Sequence, residues 1–119
     1  MKRLAKLAML VAVLGLAAPV AAEEKFPCEQ AFSETELAVS DEYKLLSAYN
    51  PDTAKALKDA LVLGCEAAVK AGRMGIDARI VMDHVNRTSV RNSSKIVELG
   101  NSARRYMALY GWKVGQLSK

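Results

Sequence analysis

Hydrophobic residues along this chain recur at helical spacing, and no stretch alternates strictly between apolar and polar positions with β-branched residues, as a half-buried strand would. Three turn signals, Asn50-Pro51, Gly72 to Gly75 and the polar stretch Asn86 to Ser94, divide the chain into four pieces. From Cys28 to Tyr49, helical stepping puts Cys28, Phe32, Val39, Leu45, Leu46 and Tyr49 on one side, as a core-facing helix requires. Glu42 falls inside that stripe. The pattern therefore predicts an interruption near Ser40-Asp41 that caps a second helix, in preference to a half-buried carboxylate. Ser33 followed by Glu36 is a capping-box pattern and points to irregularity earlier still.

The second piece opens with Asn50 as a cap and Pro51 at the first helical position, where a missing N–H costs nothing, and ends near Gly72. Leu57, Leu61, Gly64, Cys65 and Ala68 share a face whose small residues would let another helix come close. In the third piece, Asp77 to about Arg87, an apolar side carries Ala78, Ile80, Val81, Met82 and Val85. Its polar side carries Arg79, Asp83 and Arg87 at the spacing of an ion-pair ladder, and His84 sits at the edge. The fourth piece, roughly Val90 to Gly111, places Ile96, Leu99, Gly100, Ala103, Tyr106, Met107 and Tyr110 toward the core. Opposite them lie Asn101, Arg105, Leu109 and, if the helix persists through Gly111, Trp112. Such a cluster on the outer side is unexplained by packing. The expectation is an all-α fold, a small bundle of about four helices.

The start of the chain changes where that bundle is expected to work. Lys2, Arg3 and Lys6 precede the apolar run Leu7 to Leu16, and Val20-Ala21-Ala22 supplies small residues before Glu23-Glu24, the layout of a secretory signal. Residues 1–22 are expected to be removed, leaving residues 23–119 as a single helical domain of 97 of the 119 residues. No cysteine directly follows the apolar run, so no lipid anchor and no stable membrane anchor are expected after cleavage. The periplasm is the first expectation and general secretion the second. In either compartment Cys28 and Cys65 are expected to pair, and closing a loop of about 38 residues would stabilise the fold by roughly 4 kcal/mol.

Charge must be recounted after cleavage: 14 Lys/Arg against 13 Asp/Glu leaves +1, where the whole chain carries +4. The distribution is bipolar, −6 from Glu23 to Glu66 and +7 from Ala67 to Lys119. The expected reading is that the two halves pack together and neutralise each other, with a basic partner-binding face as the alternative.

The inventory for bond chemistry is thin. Asp83-His84 is the sole adjacent acid–imidazole pair, and neighbours on a helix point about 100° apart, so they do not orient each other. No Gly-x-Ser-x-Gly turn or phosphate-cradling loop occurs; Gly72-Arg73-Met74-Gly75 reads as a helix connection. With two cysteines expected to be oxidised and one histidine, no metal site and no cofactor are expected. Met74 and Met82 read as core filler rather than copper ligands. Asn86-Arg87-Thr88 and Asn92-Ser93-Ser94 match the glycosylation pattern, which matters only in a eukaryotic secretory pathway.

The expected function is therefore a non-catalytic protein-binding module, an inhibitor, immunity protein or chaperone, acting in the cell envelope on another envelope protein. An anionic envelope surface is a further possible partner, and nucleic acid is not expected. The binding residues are expected to be Arg104, Arg105, Leu109 and Trp112 on the last helix with Arg87 and Arg91 before it, because arginine and tryptophan concentrate at interface hot spots. Two alternatives stand beside it: an acid-activated periplasmic stress chaperone, opened by self-repulsion once its carboxylates are protonated, and a small cell-wall-acting enzyme.

Overall fold

A computed structural model describes residues 27–91 and 94–118; the expected leader, residues 1–22, lies outside the described residues, as do Asn92 and Ser93 of one glycosylation pattern. Described residues form an all-helical bundle without strands, closed by one disulfide. The helices are α1 (27–33), α2 (Glu36–Val39), α3 (Asp41–Tyr49), α4 (Pro51–Arg73), α5 (Ala78–Arg87) and α6 (Lys95–Leu117).

The first piece is broken twice, each time by a hydroxyl. The Thr35 hydroxyl donates to the Phe32 carbonyl at 2.7 Å and accepts from the Ala38 N–H at 3.2 Å, ending α1 and capping α2. Ser40 repeats the arrangement between the Leu37 carbonyl and the Tyr43 N–H, at 2.7 and 3.1 Å. The expected break near Ser40-Asp41 is present. The cap before Glu36, however, is Thr35 and not Ser33, whose hydroxyl donates to the Gln30 carbonyl. Each break resets the helical phase, so the stripe drawn through a continuous helix does not survive. Cys28 and Phe32 are buried, Leu46 is half-buried, and Val39, Leu45 and Tyr49 are exposed. α3 buries no side chain fully. It is held by the Tyr43 hydroxyl donating to the Ala54 carbonyl at 3.2 Å and by the Tyr43 ring standing edge-on to Phe32.

Asn50 caps α4 through Thr53, with Pro51 at the first position, as the sequence indicates. α4 ends in a Schellman turn: the Ile76 N–H donates to the Ala71 carbonyl, the Gly75 N–H to the Gly72 carbonyl, and Gly75 takes φ 81°, open to glycine without strain. Asp77 then caps α5 through the Arg79 N–H at 2.8 Å. The polar side of α5 forms only half of the expected ladder. Arg87 pairs with Asp83 at 2.9 Å, whereas Arg79 turns back to Asp77, whose carboxyl it holds below the usual carboxylate range.

α4 and α6 run parallel and form the spine of the bundle, with Cys65 against Gly111 and Val69 against Gly115. A Cβ on Gly111 would run into the Cys65 carbonyl oxygen, and one on Gly115 into the Val69 carbonyl oxygen. These two glycines set the helix separation. Leu61, Cys65, Val69, Leu99, Ala103 and Met107 fill the interface, and the Cys28–Cys65 bond staples α1 onto it with a Cα separation of 5.7 Å. Three expected core positions lie elsewhere: Gly64 and Gly100 face open space and Tyr106 is exposed, whereas Leu57, half-buried, packs against the core as expected. The buried line on α6 instead moves from Leu99, Ala103 and Met107 to Ala108, Gly111 and Gly115. Among the described residues no helix is long and apolar enough to cross a membrane.

Candidate functional site

α5 runs back antiparallel along α6, fastened at both ends. Near its start the Trp112 indole N–H donates to the Ile76 carbonyl at 2.6 Å. Near its end Arg104 donates to the Thr88 hydroxyl at 2.7 Å and to the Val85 carbonyl at 3.4 Å. The Asn101 side chain then grips the backbone of Val90 by both its N–H and its carbonyl, at 3.2 and 2.8 Å. Because these ties all go to α6, α5 leans on α6 and leaves a trench between itself and α4.

The trench consists of two apolar hollows that meet. One, of about 420 Å³, lies between α4 and α5 over Leu61, Cys65, Ala68 and Ala108, with Ile80 and Val81 on the far wall. The other, of about 390 Å³, continues toward the N-terminal ends of α4 and α6, among Leu46, Leu57, Val90, Ile96 and Val97. Ala60, Leu61 and Arg104 line both. The α4 floor is open to solvent at Ala60, Gly64 and Ala67, so this is a groove and not an enclosed cavity. Along α4 from Leu57 to Ala71 it spans about 21 Å at the helical rise per residue.

Its electrostatics are one-sided. Among the described lining residues the charged or ionisable side chains are Arg104, where the hollows join, and His84; none is acidic. Arg104 is half-buried, and its described partners are a hydroxyl and a carbonyl, both neutral. No carboxylate among the described residues pairs with it. A guanidinium offers five N–H donors, so capacity is left over.

The residues singled out from the sequence do not converge on one surface. Trp112 is not on an outer face: it packs with Ala68, Val85 and Ala108 beneath α5, because α5 covers the side of α6 that a single-helix reading leaves to solvent. Arg105 and Leu109 line neither hollow, Leu109 37% exposed and Arg105 exposed. Arg87 stands on the outer side of α5 with Asp83, and Arg91 is exposed in the following connection. Arg104 alone of the six lines the groove.

The groove is not evident from the periodicity of large side chains. Its signal lies in α4 as a second apolar line, Ala60, Gly64, Ala67 and Ala71, beside the core line. No protein-family model, curated protein or solved structure matches the chain. Among the described residues no three His, Cys, Asp or Glu side chains gather as a metal ion would require. What the arrangement offers is apolar surface with one cationic centre, suited to holding another molecule.

Proposed function

We propose that the protein is an exported, non-catalytic protein-binding module of the cell envelope, and that it binds through the α4–α5–α6 groove. The observation that carries the reading is the groove: two joined apolar hollows, rimmed by exposed Ile80 and Val90, on a domain too small to leave such surface open without cost. Export is supported by the Cys28–Cys65 bond, since such bonds persist in oxidising compartments, and by the secretory pattern of residues 1–22. The periplasm is the compartment proposed.

This reading moves the partner face from the outer side of α6 to the groove. Arg104 keeps its place as a contact residue and Trp112 becomes a support for α5. Site-specific cross-linking in the exporting cell tests it, with a photoreactive side chain at Ala67 on the groove floor and, separately, at Lys113 on the exposed outer side of α6. A discrete covalent adduct with an envelope protein is expected from Ala67 and not from Lys113. Absence of any adduct, or release of soluble fragments when purified protein is incubated with cell wall, refutes the reading, the latter in favour of the enzyme alternative.

A further inference from the structure

Resting on that reading, we infer that the occupant of the groove is an amphipathic helix of the partner, about four turns long, that sets an acidic side chain against Arg104 between two apolar anchor segments. Charge is the first ground. Arg104, half-buried among apolar walls, has two neutral acceptors and, among the described residues, no carboxylate partner, and no acidic residue of the described lining stands beside it, so it has donors to spare for an incoming acid. Arg104 lies where the hollows meet, so the acid it would pair with must have apolar groups on both sides along the groove.

Shape is the second ground. The groove follows α4 for about 21 Å, the length of about 14 helical residues. Its floor is solvent-open at Ala60, Gly64 and Ala67, where a helix presents one apolar face and keeps the other in water. An acyl chain would be left half in water on such a floor. A second copy of this chain is a poorer match: α3, with Leu45 and Tyr49 exposed beside Glu42, has nine residues and reaches about 14 Å.

The test uses the full oxidised protein and three labelled synthetic helices of sixteen residues, with leucines on one face and Glu, Gln or Lys at the centre of that face, plus a scrambled control. Fluorescence anisotropy is expected to show saturable binding in the order Glu, Gln, Lys, with about tenfold or more between Glu and Lys, since truncating or opposing one member of a desolvated charge pair costs at least that. Arg104→Gln should collapse the ranking. Gly64→Leu fills the floor at a position where a Cβ meets no atom within 4 Å, so it should abolish binding of all three helices without lowering the melting temperature. If Arg104→Gln is less stable through loss of its Thr88 bond, the Glu, Gln, Lys series on the unaltered protein carries the charge test by itself.

Equal binding of the scrambled control, no charge ranking, displacement of the helices by oleate at lower concentration, or concentration-dependent self-association blocked by Gly64→Leu would each overturn the inference. Failure of every helix while a protein adduct persists at Ala67 overturns the helix and leaves the module. Absence of a protein adduct overturns the module itself.

Discussion

Glycines within α4 and α6 allow the spine of this fold to be tested against its own open surface. At Gly111 an added Cβ would strike the Cys65 carbonyl oxygen and stand 3.1 Å from the Cys65 Sγ and 3.2 Å from the Ala68 Cβ. At Gly115 it would strike the Val69 carbonyl oxygen and stand 2.8 Å from the Arg73 nitrogen. Carbon contacts are most favourable at about 3.5–4.0 Å, and these neighbours are backbone, a short alanine and a disulfide sulfur, none able to swing aside. The helices would have to part, and overpacking of this kind costs about 1–3 kcal/mol, against a helix-propensity gain of about 0.5–1 kcal/mol for replacing glycine with alanine. At Gly64 and Gly100 a Cβ meets nothing within 4 Å, so only the gain applies. Gly64→Ala and Gly100→Ala should therefore raise the melting temperature, and Gly111→Ala and Gly115→Ala should lower it. At about 4–8 °C per kcal/mol for a domain of this size, the two pairs should differ by on the order of 10 °C in thermal melts followed by circular dichroism on oxidised protein. A rise at Gly111 and Gly115 equal to that at Gly64 and Gly100 would refute close contact between α4 and α6.

Reducing the Cys28–Cys65 bond should cost roughly 4 kcal/mol by the chain-entropy model, read from urea unfolding with and without reductant; a loss below about 1 kcal/mol would show that α1 holds without its staple. Trp112→Phe should cost about 1 kcal/mol through the lost bond to the Ile76 carbonyl, and Trp112→Ala more, in the same assay. Arg105→Ala should stay within about 0.5 kcal/mol of the parent, whereas Arg104→Ala should destabilise measurably by freeing the end of α5. Asp77 is held below its ordinary pKa mainly by hydrogen bonds from Arg79, so its contribution is present above the usual carboxylate range and lost as pH falls through the lowered value. Asp77→Asn should flatten that acid-side loss, measured as melting temperature from pH 2 to 6.

Local signals are legible in the sequence where one residue decides the backbone. Asn50-Pro51, Asp77 and Ser40 each place a helix start, and the structure has a helix starting after each. Pairing of Cys28 with Cys65 also follows from the expected oxidising compartment and the cysteine count, without geometry. Helix faces are less legible, because a helical wheel assumes continuous phase and one covered side. Thr35 and Ser40 break the phase in the first piece, which frees Leu45 and Tyr49 from the core. On α6 the assumption of one covered side fails, since α4 takes one flank and α5 another. The spacing Gly111-x-x-x-Gly115 was a legible sign of close helix approach that periodicity of large side chains does not register.

The same two-sidedness explains why the groove is harder to read from the sequence than the helices are. α4 carries its large residues, Leu61, Val62 and Val69, toward the core, and its neighbouring face is mostly alanine and glycine, which scores as bland. Blandness there is what makes a groove: small side chains set a low floor, and α5, drawn to α6 by Trp112, Arg104 and Asn101, supplies the wall. None of those three ties is visible in local spacing, since they join residues from 11 to 36 positions apart. Trp112 and Arg104 thus fasten α5, and Arg104 also marks one point of the groove, whereas Arg105, beside Trp112 in the outer cluster read from the sequence, does neither; the open surface is built from the least conspicuous residues in the chain.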